Sequence, residues 1–219
     1  MAKLKWDQSG ERFYETGVKQ GVLYPQVNGA YPVGVPWNGL TAVTESPSGA
    51  EATPVYADDT VYLNLLSVEE FGATVEAYTY PPEFEACQGN EEIGEGITIG
   101  QQTHQPFGMS YKTTIGNDAE GTAYGYKLHL IYGATAAPSE RNYQTINDNP
   151  EPTAMSWELS TTPVAVTGKA PTSSLTIDSK KTKPAVLKAL EDALYGTEEK
   201  EAYLPLPDEI VAMIAAAAQ

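Results

Sequence analysis

The sequence contains no Lys or Arg between Gln20 and Tyr111, although twelve Asp and Glu residues lie in this stretch. The stretch is also rich in aromatic and aliphatic residues, which indicates a folded segment rather than a disordered acidic tail. The whole chain has 13 Lys and Arg against 29 Asp and Glu, a net charge of -16. This balance disfavours a nucleic-acid reader or an anionic-membrane binder, since both need clustered cations. The simplest alternative is that the charge keeps copies of a soluble protein apart.

The residue types and spacings of most catalytic and metal sites are also missing. The single cysteine, Cys87, excludes an internal disulfide or a multi-thiolate metal site and is expected to be a small packed or half-exposed side chain. His104 and His129 have neither metal-ligand spacing nor a partner cysteine nearby. Ser110 lacks the second glycine of a nucleophile elbow, and no glycine-rich phosphate or dinucleotide loop is present. The sequence therefore predicts no enzyme activity, no cofactor and no metal.

No long uncharged apolar run is present, and the charged residues 1–6 are not followed by one. A membrane-spanning segment or export signal would need such a run. We therefore expect no membrane partner and a chain that is made and kept in solution.

Apolar and polar residues alternate with period two in many short segments, the pattern of strands with one buried face. A hairpin with a longish loop is predicted for 107–115 and 124–132. The turn residues between them, 117–121, could attract a calcium ion, but a plain hairpin turn fits them better. Seven further strands are predicted at 13–18, 40–44, 53–56, 61–65, 73–79, 155–161 and 175–177, with 45–49 joining the second and third. The pattern predicts a mainly β protein, an antiparallel sandwich or barrel.

Helical patterns occur only near the end of the sequence. Pro184 and apolar residues at three-four spacing predict a helix at about 183–195, which Gly196 can end. A second start at Pro207, with carboxylates in its first turn, predicts a helix that either packs on its own domain or docks on a neighbour. We expect one β domain, 1–200, and a C-terminal helical appendage, 201–219.

Two long stretches, 25–37 and 80–107, are rich in Gly and Pro without clear periodicity. Long irregular loops in a compact domain usually have a function. Because no ligand motif lies in them, we expect them to contact other copies.

Short strings spread in order over nearly the whole chain carry a family resemblance. They are 10–18 (GERFYETGV), 21–25 (GVLYP), 37–49 (WNGLTAVTESPSG), 56–59 (YADD), 76–84 (EAYTYPPEF), 115–118 (IGND), 125–130 (GYKLHL) and 204–209 (LPLPDE). With them, the sequence resembles the major tail (tail tube) proteins of long-tailed bacteriophages with non-contractile tails, of the type found in Gram-positive hosts and their prophages. No single string has a chemical meaning, so the resemblance depends on the ordered set.

The resemblance implies a sandwich-like subunit with a flanking C-terminal helix. Six copies would form a ring whose strands close an inner β-barrel, and rings would stack into a hollow tube that conducts DNA during ejection. The implied partners are further copies, tape measure, tail-end and baseplate proteins, and DNA in transient passage. The implied location is the virion tail, and the host cytoplasm during assembly.

A lumen poor in cations would let DNA pass without stopping, which gives the Lys- and Arg-free stretch a purpose. The candidate lumen-lining acids are Glu45, Glu51, Asp58, Glu69 and Glu76. Two other classes stay open. A virion decoration or receptor-binding module would show aromatic residues at its loop tips, and a jelly-roll enzyme acting on acidic or glycan substrates would need paired acids in a groove.

Overall fold

The computed structural model describes residues 3–145 and 152–217. In chain order its elements are β1 (Phe13–Pro25), β2 (Val35–Trp37), β3 (Leu40–Glu45), β4 (Ala52–Ala57), β5 (Thr60–Leu66), β6 (Gly72–Ala77), α1 (Phe84–Cys87), β7 (Glu91–Gly94), β8 (Ile97–Ile99), β9 (Phe107–Asn117), β10 (Gly121–Ala136), β11 (Met155–Thr161), β12 (Ser174–Asp178), α2 (Pro184–Tyr195) and α3 (Pro207–Ala216).

The main sheet is antiparallel and has the strand order β2-β1-β9-β10-β11-β6-β3, with β12 also paired to β10. Strand β10 holds both halves together: residues 127–131 pair with β12, and 134–136 pair with β11. The bend between these parts lies at Gly133, whose φ is +59°. The path has two ends, so the described residues of one copy form an open sheet rather than a closed barrel.

Neighbouring residues of the central strands point into two different cores. Leu23 and Ile131 belong to the first core, whereas the adjacent Tyr24 and Leu130 belong to the second. This is the consequence of side chains alternating between the faces of a strand. Strands β1 and β10 are therefore apolar on both faces at these positions.

The first core lies between the two halves of the sheet and is rich in aromatic rings. Trp157 of β11 meets Trp37 of β2 at a centroid distance of 5.6 Å and Phe84 of α1 at 5.2 Å. Cys87 is buried in the same core, as expected for a packed cysteine. The sandwich-like arrangement with all-antiparallel pairing confirms the predicted mainly β class.

The second core lies between the sheet and the C-terminal helices. Leu128, Leu130 and Tyr132 pack with Val186 and Leu190 of α2. The Tyr24 hydroxyl donates a hydrogen bond of 2.8 Å to the carbonyl of Leu194 and so connects β1 to the last turn of α2.

The C-terminal segment contributes to this core as well. Leu204 and Ile210 are 2% and 4% exposed within it. Of the two alternatives for the second helix, packing on its own domain is therefore the one seen in the chain. The predicted domain ranges also include residues 1–2, 146–151 and 218–219, which lie outside the described residues.

The predicted 107–115/124–132 hairpin and the helix at about 183–195 are confirmed by β9, β10 and α2. The two stretches predicted to be irregular contain more structure: β2 lies in 25–37, and α1, β7 and β8 lie in 80–107. Residues 45–49 were expected to join two strands, and they lie in the connection from β3 to β4, where Gly49 has a positive φ of 89°. Ser46 and Ser48 donate hydrogen bonds of 2.8 Å to the carbonyls of Gly72 and Glu70. Pro47 falls between these bonds, where no N–H is needed.

Candidate assembly surfaces

A two-stranded ribbon formed by residues 46–71 extends the β3–β6 pair beyond the sheet. Strands β4 and β5 pair with each other and are joined at Asp58 and Asp59, both with positive φ (48° and 61°). Positive φ at both central residues is characteristic of the type I′ turn, whose twist matches that of a two-stranded ribbon. From Ser46 to Ala57 the arm is about 35 Å long at ~3.3 Å per residue. From residue 44 to residue 70, only Ala57 is not exposed, so the ribbon stands away from the body.

The ribbon exposes apolar side chains on both faces. Tyr56 and Tyr62 are 66% and 71% exposed, and Leu65 and Leu66 are 58% and 72% exposed. Its charges are five carboxylates with no cation. An isolated two-stranded hairpin is only marginally stable in water, and contiguous exposed apolar surface usually marks an interaction site. The ribbon is therefore the strongest candidate for a contact surface.

The outer faces of the two sheet halves differ. Helices α2 and α3 cover the outer face of β9, β10 and β12. The outer face of β3, β6 and β11 carries small or acidic residues, namely Ala42, Thr44, Thr74, Glu76, Ser156, Glu158 and Ser160. Neither α2 nor α3 packs on it among the described residues, and its three strands contain no Lys or Arg. We call it the bare face.

The five acids predicted to line a lumen lie in three different places. Glu51, Asp58 and Glu69 are on the ribbon, and Glu76 is on the bare face. Glu45 ends β3 on the opposite side of that strand from the bare face, since it pairs with the buried Ala73. The structure thus does not bring the five together within one copy, and their lining of a lumen stays a prediction.

Glu45 belongs to a polar cluster at the root of the ribbon. It accepts a hydrogen bond from the Tyr111 hydroxyl at 2.5 Å, and its Oε1 lies 3.3 Å from Nδ1 of His129. The other ring nitrogen of His129 lies 2.9 Å from Thr113 Oγ1 and 3.4 Å from Glu15 Oε1. The His129 ring also stacks on Tyr111 with a centroid distance of 4.7 Å. Four strands, β1, β3, β9 and β10, meet in this cluster.

The charges of this cluster favour an ionised Glu15. Burial alone would raise the pKa of Glu15, but hydrogen bonds from Lys127 and Thr113 and the charge of Lys127 outweigh it and hold the pKa below its usual value. Burial raises the pKa of Tyr111 far above its usual value, and the Glu45 carboxylate raises it further. Tyr111 therefore stays a hydrogen-bond donor to Glu45 at physiological pH.

The cluster is not arranged to bind a metal ion. Glu15 and Glu45 face different nitrogens of the His129 ring, so one ion cannot contact both carboxylates and the ring. Across residues 3–145 and 152–217, no group of three or more His, Cys, Asp or Glu side chains is placed to hold a metal. No helix in the same ranges is long and apolar enough to cross a membrane.

Sequence reasoning placed strands in the ribbon but missed that they leave the sheet. The available signal was the apolar character of both faces around Asp58-Asp59, where an ordinary surface strand would alternate. It also considered His129 only as a possible metal ligand. Its two carboxylate neighbours, Glu15 and Glu45, are far from it in sequence and could be found only from the pairing of the strands.

Comparison with known proteins gives a distant likeness of architecture. No protein family model and no curated protein matches the sequence. Among solved structures, the chain is similar to one in the cryo-EM structure of the anti-feeding prophage (AFP) baseplate, six-fold symmetrised. The TM-score is 0.39 and the identity 8%, over 80% of this chain and 97% of the other. A likeness at this level does not bear on function.

Proposed function

We propose that this chain is a structural virion protein, a major tail protein whose copies form six-membered rings that stack into a hollow tube. The projecting ribbon carries the proposal: a long apolar arm that no other described part of its own chain covers is explained if other copies cover it. The sequence resemblance to tail tube proteins supports the same assignment. The role is structural rather than catalytic.

The bare face has the properties that the wall of a DNA conduit needs. Its uncharged side chains are small and mostly polar, its charged residues Glu76 and Glu158 are acidic, and its strands lack cations. DNA phosphates gain affinity for a protein when Lys and Arg replace their counterions. A wall without these residues gives passing DNA no place to bind, so we assign the bare face to the lumen of the tube.

In a ring, the open sheet of each copy would be continued by its neighbours. The sheet ends at β3 on one side and at the short β2 on the other. Closing a sheet removes edges that invite aggregation. Tape measure, tail-end and baseplate proteins would be the further partners, within the virion or, during assembly, in the host cytoplasm.

Electron microscopy and sedimentation of the purified protein test this function. Copies with a net charge of -16 repel each other. At physiological ionic strength, salt largely screens this repulsion between charges more than about 8 Å apart. We therefore expect rings of six or hollow tubes, formed more readily as salt is raised. A strictly monomeric protein at high concentration, in both low and high salt, would rule the tube out.

A virion decoration or receptor-binding module is the second candidate. The exposure of Tyr56 and Tyr62 near the ribbon tip favours it, because exposed tyrosines are common anchors in binding surfaces. Such a module would remain a particle of one discrete size at every concentration. The sedimentation series distinguishes the two candidates, since a tube protein grows in length.

A further inference from the structure

A second apolar surface, different from the ribbon, lies between β12, α2 and α3. It is a groove of about 450 Å³. Its floor contains Val186, Leu190 and Ile210, which are at most 4% exposed. Its outer wall contains Val211 and Ile214, which are 57% and 51% exposed.

Cations concentrate at one end of this groove. The nine residues 180–188, from the β12–α2 turn into α2, contain four of the chain's 13 Lys and Arg and no carboxylate. Lys181 lines the groove with its side chain 85% exposed, and its Nζ lies 3.7 Å from the carboxylate of Asp178, which also lines the groove. The α2 N-cap, Lys183, provides no side-chain cap for the first N–H groups of the helix. Lys188 is likewise paired with Asp192, at 2.7 Å, so the attraction of this rim for carboxylates comes mainly from Lys180, Lys183 and the helix dipole.

We propose that the ribbon tip of one copy docks in the α2–α3 groove of a neighbouring copy. The ribbon tip and the groove are complementary in apolar character and in charge. Tyr56, Val61 and Tyr62 would fill the apolar groove, and the carboxylates of Asp58 and Asp59 would meet the lysine rim. This inference rests on the proposed self-assembly and names the surface that receives the ribbon.

The geometry of such a contact suits a tube. Ribbon and groove are different surfaces, so the contact is heterologous, and each copy would offer a free ribbon and a free groove to the next. A heterologous contact continues from copy to copy and gives rings or filaments instead of stopping at a dimer. One chain can in this way supply the repeated contact that a tall stack requires.

Neutralising the tip carboxylates tests the proposed contact, because the contact and simple charge repulsion predict opposite changes in assembly. Asp58→Asn with Asp59→Asn keeps residues that tolerate positive φ and lowers the repulsion between copies. If the acids serve only to repel, assembly improves. If they dock on lysines, the protein concentration needed for assembly rises by roughly fivefold. The control, Glu69→Gln with Glu70→Gln, makes the same change of charge at the ribbon root and is expected to leave assembly unchanged or improved.

Disulfide crosslinking locates the contact. We expect Asp59→Cys with Lys181→Cys to give a ladder of covalently joined copies on oxidation, while the buried Cys87 stays unreactive. Asp59→Cys with Glu198→Cys is the control, because Glu198 follows the far end of α2, which is about 18 Å long at 1.5 Å per residue. No ladder is expected from the control.

The crosslinking and assembly results together distinguish failure of the ribbon–groove contact from failure of the proposed function. Tubes without crosslinked copies would contradict the ribbon–groove contact and would still support the tube function. Crosslinked copies without rings or tubes would support the ribbon–groove contact and contradict the tube function. With neither ladder nor tubes, both are wrong.

Discussion

Nδ1 of His129 lies 3.3 Å from Oε1 of Glu45, so β10 comes close to the strand that continues into the ribbon. On its other side, the same ring faces Glu15 of β1 at 3.4 Å. The ribbon has few other attachments to the sheet, because almost all of its residues are exposed. We infer that this histidine and its two carboxylates help to fix the direction in which the ribbon leaves the body.

The first prediction concerns the acid stability of this cluster. The pKa of Glu15 is lowered in the folded chain, so its stabilising contribution is present above the usual 4.5 and is lost as the pH falls below that value. We expect Glu15→Gln to lower the free energy of unfolding at pH 7 by about 0.5–1 kcal/mol, the range of partly exposed ion pairs. At pH 3 the difference should be smaller. Urea unfolding at both pH values measures it.

Glu11→Gln is the matched control, since Glu11 is an exposed carboxylate near the same strand. Its effect should be small and similar at both pH values. An equal loss of stability for Glu15→Gln at pH 3 and pH 7 would show that the contribution is packing and not charge.

The second prediction concerns the bend in β10. A Cβ at Gly133 would lie 2.2 Å from the backbone carbonyl oxygen of Thr162, and Gly133 also has a positive φ. Gly121 has nearly the same φ, +58°, but a Cβ there meets nothing within 4 Å. Gly121→Ala should therefore lower the free energy of unfolding only by the penalty of a left-handed backbone conformation, about 1–2 kcal/mol. Gly133→Ala should cost clearly more, and equal urea midpoints for the two variants would contradict this.

The third prediction separates the two sides of α3. Ile210 is buried in the second core, so Ile210→Ala should lower the free energy of unfolding by about 2–4 kcal/mol. The neighbouring Val211 is 57% exposed, and Val211→Ala should change it by less than about 0.5 kcal/mol. Because Val211 lines the groove, its variant should instead weaken assembly. A larger loss of stability for Val211→Ala than for Ile210→Ala would mean that α3 packs differently.

Local patterns predicted the parts of the fold that depend on neighbouring residues. The alternation around Tyr111 and Leu128 predicted the β9–β10 hairpin, and the spacing of Val186, Leu190 and Leu194 predicted α2. Pairing between distant segments was not accessible in this way. For example, β11 pairs with β6 through Trp157 and Val75, which are 82 positions apart, and no local signal specifies that choice.

The candidate surfaces were less predictable for a related reason. Apolar residues such as Leu65 and Leu66 ordinarily indicate a core, and only the structure shows that they are exposed. The lumen acids were chosen because they fall in the cation-free stretch, and that criterion does not distinguish one face of a strand from the other. Glu158 on the bare face was missed, since it lies outside that stretch.

The last prediction concerns passage of DNA. If the bare face lines the lumen, Glu76→Lys or Glu158→Lys places six cations in every ring and repeats them along the tube. Each new phosphate contact attracts DNA independently of sequence and weakens with salt. We expect tails of normal appearance that eject the genome more slowly at low salt, with the rate recovering as salt is raised.

A scan of Lys substitutions gives this prediction its controls. Glu198→Lys makes the same change of charge in the exposed loop after α2 and should leave ejection unchanged. On the ribbon, Asp58→Lys at the tip should weaken assembly before it affects ejection, whereas Glu51→Lys and Glu69→Lys at the root should leave assembly unchanged. Glu45→Lys should disturb the His129 cluster and hence stability. Single-particle ejection kinetics decide the matter: if the bare-face variants assemble and eject at the unmodified rate in low salt, the acidic surface serves solubility and the bare face does not meet DNA.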